Sequence, residues 1–333
     1  MDDPNENPSI VETLAGETKE GLDDAAALPG RLDRYSRAHH RALEASDYAM
    51  TLGEVKISRR LQFCGSYLVF RDYFTVGKVR LHCADFCHLH LLCPLCAIRR
   101  GAKMVKSYLE RLAIVLTDDV RVRPYMVTLT VKDGPDLVER YEHLHRSLQR
   151  YHEQRKHAMA DIRREPVEAC KATGGVLSYE FKRGAGSRLW HPHLHAVWMC
   201  VEAPDQDKLA REWYAITGDS YIVDVRQISQ DPVPGFLEVF KYAVKFSDMP
   251  MADNWDGYEY LRGRRLVSSF GVFRGIELPD KLTDDDLADD LPYIEMLYRF
   301  ARGVGYDFLG TRLAFFPSRG VSVTQPHRVT DAP

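Results

Sequence analysis

Between Pro124 and Arg226 the apolar and polar positions change period in a fixed order. Met126–Val131 (MVTLTV) is short and β-branched and is followed by Lys-Asp-Gly, which reads as a strand stopped by a turn. Leu137, Tyr141, Leu144 and Leu148 recur at helical spacing and begin a long charged helix. Val176–Phe181 (VLSYEF), a Gly-rich turn, His193–Met199 (HLHAVWM), a helical stretch around Leu209–Ile216 and the alternating run Tyr221–Val225 (YIVDV) follow. The order βαββαβ predicts an α+β, ferredoxin-like (RRM-like) fold: an antiparallel sheet with two helices on one face and the other face free. Met104, Tyr108, Leu109 and Leu112 predict a further helix upstream.

Outside this interval the pattern is weaker. Residues 1–30 lack periodicity and are rich in Asp, Glu, Pro, Asn and Ala, which predicts a disordered acidic tail. Residues 31–120 are expected to form a zinc-binding and helical N-terminal region, and 121–276 the domain built on the βαββαβ interval. Residues 277–333 are expected to hold an acidic segment weakly ordered over Asp280–Asp290, a helix and a loose tail.

Charge sharpens that division. The 333 residues carry a formal charge of −3, but Met1–Gly30 and Glu277–Glu295 each hold eight acids and one Lys. Arg31–Ile276 is left at +8, a balance that permits phosphate contacts without requiring them. No apolar run approaches the roughly 18 residues that span a bilayer, and the acidic, Pro-interrupted start is unlike a signal peptide, so the expected location is the cytoplasm with no membrane partner.

His-Leu-His occurs three times, and local geometry separates the copies. His143 and His145 fall in the long helix, where a two-residue step sends side chains to different faces. His88 and His90 lie among cysteines, as spare ligands at most. His193 and His195 lie on a strand, where i and i+2 share a face. A hairpin turning between Gly186 and Ser187 would set Glu180 opposite His193, giving a facial Glu180, His193, His195 set with open positions for phosphate and water. A one-residue slip would turn Glu180 away, and alone such histidines read as hydrogen-bonded core residues.

In FLEVFKYAVKFSD, Glu238, Tyr242 and Lys245 are spaced i, i+4 and i+7, an acid, a phenol and an ammonium on one helical stripe. Alone this is a salt-bridged amphipathic helix; beside a paired-histidine strand it reads as a nucleophile with its helpers.

Five of the seven cysteines lie between Cys64 and Cys96, and in a chain without an export signal such clustering reads as metal binding rather than a disulfide framework. Cys93 and Cys96, in CPLC, form a compact ligand pair for structural Zn²⁺, with Cys87 third and Cys64 or Cys83 fourth. Arg99 and Arg100, just past the cluster, are candidates for contacts to nucleic-acid phosphates, with plain solvation as the alternative.

Together these motifs resemble the single-tyrosine family of rolling-circle plasmid replication initiators (Rep proteins) within the HUH endonuclease superfamily. MVTLTVKD resembles the family's first motif, HPHLHAVWM its metal-binding motif and Glu238–Lys245 (ExxKYxxK) its nucleophile motif. CPLCAIRR resembles its cysteine signature, and the similarity spans roughly Cys64–Gly275. The resemblance implies a site-specific nickase that needs Mg²⁺ or Mn²⁺. Tyr242 would attack the scissile phosphate to leave a 5′-phosphotyrosyl link and a free 3′-OH, Lys245 and Lys241 would balance charge, and Glu238 would activate water for the closing cleavage. It also implies single-stranded or hairpin origin DNA as substrate and a host helicase and polymerase as partners. An HUH transposase, or a zinc-stabilised DNA-binding regulator without chemistry, are the competing readings. A regulator would have no need for Tyr242 beside Glu180, His193 and His195.

Overall fold

The computed structural model describes residues 24–161, 164–228, 232–240, 249–277, 280–287 and 291–315. In chain order the elements are α1 (Leu28–Thr51), α2 (Val55–Phe63), β1 (Tyr67–Tyr73), β2 (Lys78–Ala84), α3 (Pro94–Asp118), β3 (Arg123–Thr130), α4 (Leu137–Ala160), β4 (Ala172–Arg183), β5 (Trp190–Cys200), α5 (Gln206–Thr217), β6 (Val223–Gln227), α6 (Val233–Val239), α7 (Met251–Leu261), β7 (Val267–Gly271), β8 (Tyr293–Ala301) and β9 (Gly305–Phe315). The chain is α+β, with two antiparallel sheets ordered β2-β1-β8-β9 and β6-β3-β5-β4-β7.

The larger sheet follows the periodicity that predicts its four strands, with a fifth, β7, added at the β4 edge. Asp136 caps α4 by accepting a 2.9 Å hydrogen bond from the Glu139 amide. From there Leu137, Tyr141, Leu144, Leu148 and Tyr151 bury one stripe against the sheet. Each such side chain contributes about 1.5–3 kcal/mol of burial. Asp205 caps α5 in the same way, and Gly218 ends it at φ 76°, the left-handed region that glycine enters freely. Trp213 of α5 is fully buried and donates its indole N–H to Thr130 O at 2.6 Å, fixing the helix to the end of β3.

Strands β4 and β5 are buried along most of their length, so neither face is bare. On one face Tyr179 and Phe181 meet Tyr141 of α4. On the other, where the sequence pattern leaves the face free, α6 packs: Ser178 donates to Val239 O, and Phe236 and Phe240 join Tyr108 of α3. The apolar stripe of α6 needed cover, and the β4–β5 pair supplies it.

The second sheet departs from expectation. A helix is expected within residues 277–333; of the described part, 293–315 instead form the β8–β9 hairpin, turning through Gly303 (φ 82°) and Gly305 (φ 107°). The aromatic and β-branched content of YIEMLYRFA suits a strand better than a helix. Strand β8 pairs with β1, so the C-terminal segment completes the sheet begun by the N-terminal region, and the two are not separate units. Asp280–Asp290 is likewise no loose stretch over its described part, residues 280–287: Leu282 and Thr283 are buried, and Asp284 meets Arg31 at 2.7 Å and also Arg99. The acidic tail ends earlier than Gly30, because α1 starts at Leu28 with Pro29 in its first turn. The last ten residues lie outside the described ones.

Candidate functional site

Three side chains of the β4–β5 pair converge. Glu180 stands opposite His193, the pairing that a turn between Gly186 and Ser187 gives, and His195 lies two residues on. Glu180 Oε2 is 3.4 Å from His193 Nε2 and 3.2 Å from His195 Nε2. All three residues are buried. Burial alone would raise the Glu180 carboxyl, yet its contacts to His193 and His195 hold it well below the usual carboxylate range. Burial pushes His193 down, with Glu180 opposing. A carboxylate beside a neutral His193 is the protonation state a cation needs.

Surrounding groups orient this set. Thr128, directly opposite His195 on β3, lies 3.2 Å from His195 Nδ1. An ion on Nε2 would fix the tautomer in which Nδ1–H donates to Thr128 Oγ1. Glu238, carried over the sheet by α6, places Oε1 3.6 Å from His195 Nε2. His191 faces away to Asp133, 2.5 Å from its Nδ1. Six-coordinate donors about 2.1 Å from an ion stand roughly 3.0 Å apart; the spacings here need only a small contraction.

The second cluster is built of sulfur alone. Cys64, Cys87, Cys93 and Cys96 converge with no disulfide among them. Sγ–Sγ distances are 3.4 Å for Cys64–Cys96 and 3.5 Å for both Cys87–Cys96 and Cys64–Cys93. Four sulfurs about 2.3 Å from one ion would stand roughly 3.8 Å apart, so the arrangement fits a tetrahedral metal. Burial and neighbouring sulfurs push the Cys93 thiol up, whereas hydrogen bonds from Cys64, Cys93 and Cys96 hold Cys87 low. The fourth position is Cys64, brought in by the end of α2; Cys83 is exposed on β2 and stands apart. His88 and His90 are not in the cluster.

A model of the Rep_1 replication-protein family matches residues 78–297. The chain belongs to the Rep_1 family of replication proteins. It is 25% identical over 268 residues to a Protein rep of Streptococcus pneumoniae serotype 2, covering 74% of this chain and 80% of that one. It is also 25% identical over 292 residues to a Protein rep of Bacillus amyloliquefaciens, covering 75% and 80%. No solved structure matches it. The resemblance to plasmid Rep initiators carried by its motifs is thereby shown, and either cluster of this replication protein is able to hold a metal ion.

Other expected site residues fall in different places. Tyr242, Lys241 and Lys245 lie outside the described residues. Arg99 does not face solvent: its side chain is 2% exposed, and it donates to Tyr35 Oη, Leu282 O and Asp284. It sits on the buried stripe of α3, which residue type alone does not reveal. Arg100, the next position around that helix, is exposed. His143 and His145 separate as the helix demands, one to Asp219 and the other to Tyr179. Thr128 was missed; the alternation of MVTLTV against HLHAV would have placed it opposite His195. No described helix is long and apolar enough to cross a membrane.

Proposed function

We propose that this replication protein initiates rolling-circle plasmid replication by nicking and rejoining single-stranded origin DNA through a 5′-phosphotyrosyl intermediate. The observation that carries the reading is the convergence of Glu180, His193 and His195 beside a helix bearing Glu238, four residues before Tyr242. On this reading the larger sheet is ferredoxin-like, its strands β6-β3-β5-β4 standing in the 4-1-3-2 order of a split βαβ pair.

Glu180, His193 and His195 would hold Mg²⁺ or Mn²⁺, which when bound polarises a phosphate oxygen and stabilises the charge that develops there. Tyr242 Oη attacks phosphorus, the bond to the 3′ oxygen breaks, and the phenol's proton ends on the released 3′-OH. Lys241 and Lys245 favour the phenolate, whose proton is otherwise held with a pKa of about 10. Glu238 serves as general base toward water in the closing cleavage. The four-cysteine cluster holds Zn²⁺ as a structural ion. Origin DNA in single-stranded or hairpin form, a host helicase and polymerase, and a cytoplasmic setting complete the reading.

The test is a covalent-adduct assay with single-stranded hairpin DNA and Mn²⁺. Wild-type protein is expected to form a protein–DNA adduct, and Tyr242→Phe to form none while binding the same DNA within about 2-fold. An adduct of undiminished yield on Tyr242→Phe would move the nucleophile elsewhere.

A further inference from the structure

A groove of about 830 Å³ opens between the cysteine-bearing element and the β4–β7 edge of the larger sheet. One wall is the His88–Leu91 loop and the start of α3; the other is the Arg262–Leu266 turn after α7. Its composition is one-sided. Among the described lining residues are Arg100, Arg262, Arg264, Arg265 and Arg274, with no Asp or Glu, in a chain of net charge −3. All five arginines are exposed. Such a concentration of like charge makes a positive potential that attracts polyanions.

Two of the guanidiniums are already positioned. Arg262 lies 5.7 Å over the Tyr258 ring, and Arg264 lies 4.1 Å over the Tyr260 ring. Stacking of this kind limits rotamer freedom, so less is lost when a phosphate arrives. Arg264 also meets Glu142 at 3.4 Å. No ion pair to Arg100, Arg262, Arg265 or Arg274 is found among the described residues.

The groove also has a direction. Ser178 lines it, two residues from Glu180 on the same face of β4, so the two side chains are about 7 Å apart along the strand. The Arg100 end abuts a second cavity, lined by Cys96, Lys103, Asp280 and Leu282, beside the sulfur cluster.

We infer that this arginine groove is the track for the sugar-phosphate backbone of single-stranded DNA flanking the Glu180–His193–His195 cluster, running from that cluster toward the cysteine element. The inference rests on the reading of the chain as a DNA-cutting protein. The larger contact with DNA is then electrostatic and sequence-independent, made by residues outside the catalytic motifs.

The experiment measures binding of fluorescent oligo(dT) across a salt series for wild type and for R262A/R265A/R274A. Each phosphate contact contributes about 0.7 to the slope of log K against log salt on a single strand, so three lost contacts make the slope shallower by about 2. Between 1 M and 0.1 M salt that is about 100-fold in affinity at the lower concentration. The charge-preserving R262K/R265K/R274K is expected to keep the wild-type slope, which separates lost charge from lost fold. R299A/R302A/R312A, which removes as many charges from the β8–β9 hairpin, is expected to leave the slope unchanged. An unchanged slope for the groove variant, an equal loss for the hairpin variant, or displacement of oligo(dT) by polyglutamate as effective as by unlabelled DNA would overturn the assignment, the last in favour of an acidic protein partner. If the groove variant binds normally yet wild type still forms the tyrosyl adduct, only the track is wrong. If the slope changes as expected and no adduct forms, the nickase reading fails and the track stands.

Discussion

The two ligand clusters of this replication protein are built on opposite plans. Four cysteines from three segments close on one another, every sulfur buried, with no other donor in the set. The carboxylate–histidine cluster has three ligands on two adjacent strands, a second acid at 3.6 Å, and an arginine-lined groove beginning two residues away. A saturated tetrahedral set leaves no position for substrate, whereas a facial three-ligand set leaves several. What separates them is therefore the number of ligands and not burial: one set joins α2, the cysteine loop and α3, and the other lies on two strands of a single sheet with fewer donors.

That contrast breaks most visibly at the cysteines. Metal binding at such sites is worth about 10–16 kcal/mol in isolated zinc modules, comparable to the whole stability of a domain. Cys96→Ser is expected to lower stability by at least about 5 kcal/mol and to lose the bound metal. Urea unfolding with elemental analysis checks both, and a wild-type midpoint with metal retained would refute the structural role.

The next largest effect belongs to the ionic knot that fastens the acidic segment. Asp284 accepts from Arg31 at 2.7 Å, from Arg99 and from the Leu81 amide at 2.7 Å. Burial would raise its carboxyl, but the Arg99 and Arg31 guanidiniums hold it far below the usual range. A depressed folded-state pKa gives stability that is fully present above about pH 4 and is lost as pH falls further. Asp284→Ala, which leaves two buried guanidiniums without this carboxylate, is expected to cost about 3–5 kcal/mol at neutral pH and to flatten the acid limb of the stability curve between pH 4 and 2. A variant with the wild-type acid limb would show that Asp284 is not the group responsible.

Glu238 should matter least to the fold. Its side chain is 26% exposed, and its contact to His195, at 3.6 Å, is longer than a hydrogen bond, so little stability is at stake. Glu238→Gln is expected to unfold within about 0.5 kcal/mol of wild type and to form the Tyr242 adduct, but to release it about 100-fold more slowly. Single-turnover release kinetics decide it, and normal release would place the closing base elsewhere.

How much of this could be read from the chain depended on sequence distance. The β4–β5 pair was legible because its evidence is local: His193 and His195 share a strand face by period, and the short hairpin fixes Glu180 opposite them. The four-stranded sheet was not, since β1 and β8 are joined across more than 200 residues and neither strand announces its partner. Arg99 and Asp284, 185 residues apart, show the same limit from the side of charge. An acidic run reads as a solvated tail until the buried cations it neutralises are known. The Arg-Gly-Arg-Arg run at 262–265 drew no notice in the sequence, because only the fold sets it across a groove from Arg100.

The contrast between a closed and an open cluster is tested most directly by graded chelation of one wild-type sample. Bound zinc, thermal unfolding and the DNA adduct are followed together as EDTA is raised and Mn²⁺ is then restored. The account predicts that adduct formation disappears first, with zinc content and unfolding temperature unchanged, and returns when Mn²⁺ is added. Adduct formation that persists after every ion but zinc has been removed, or that is lost only in step with zinc and the fold, would contradict it.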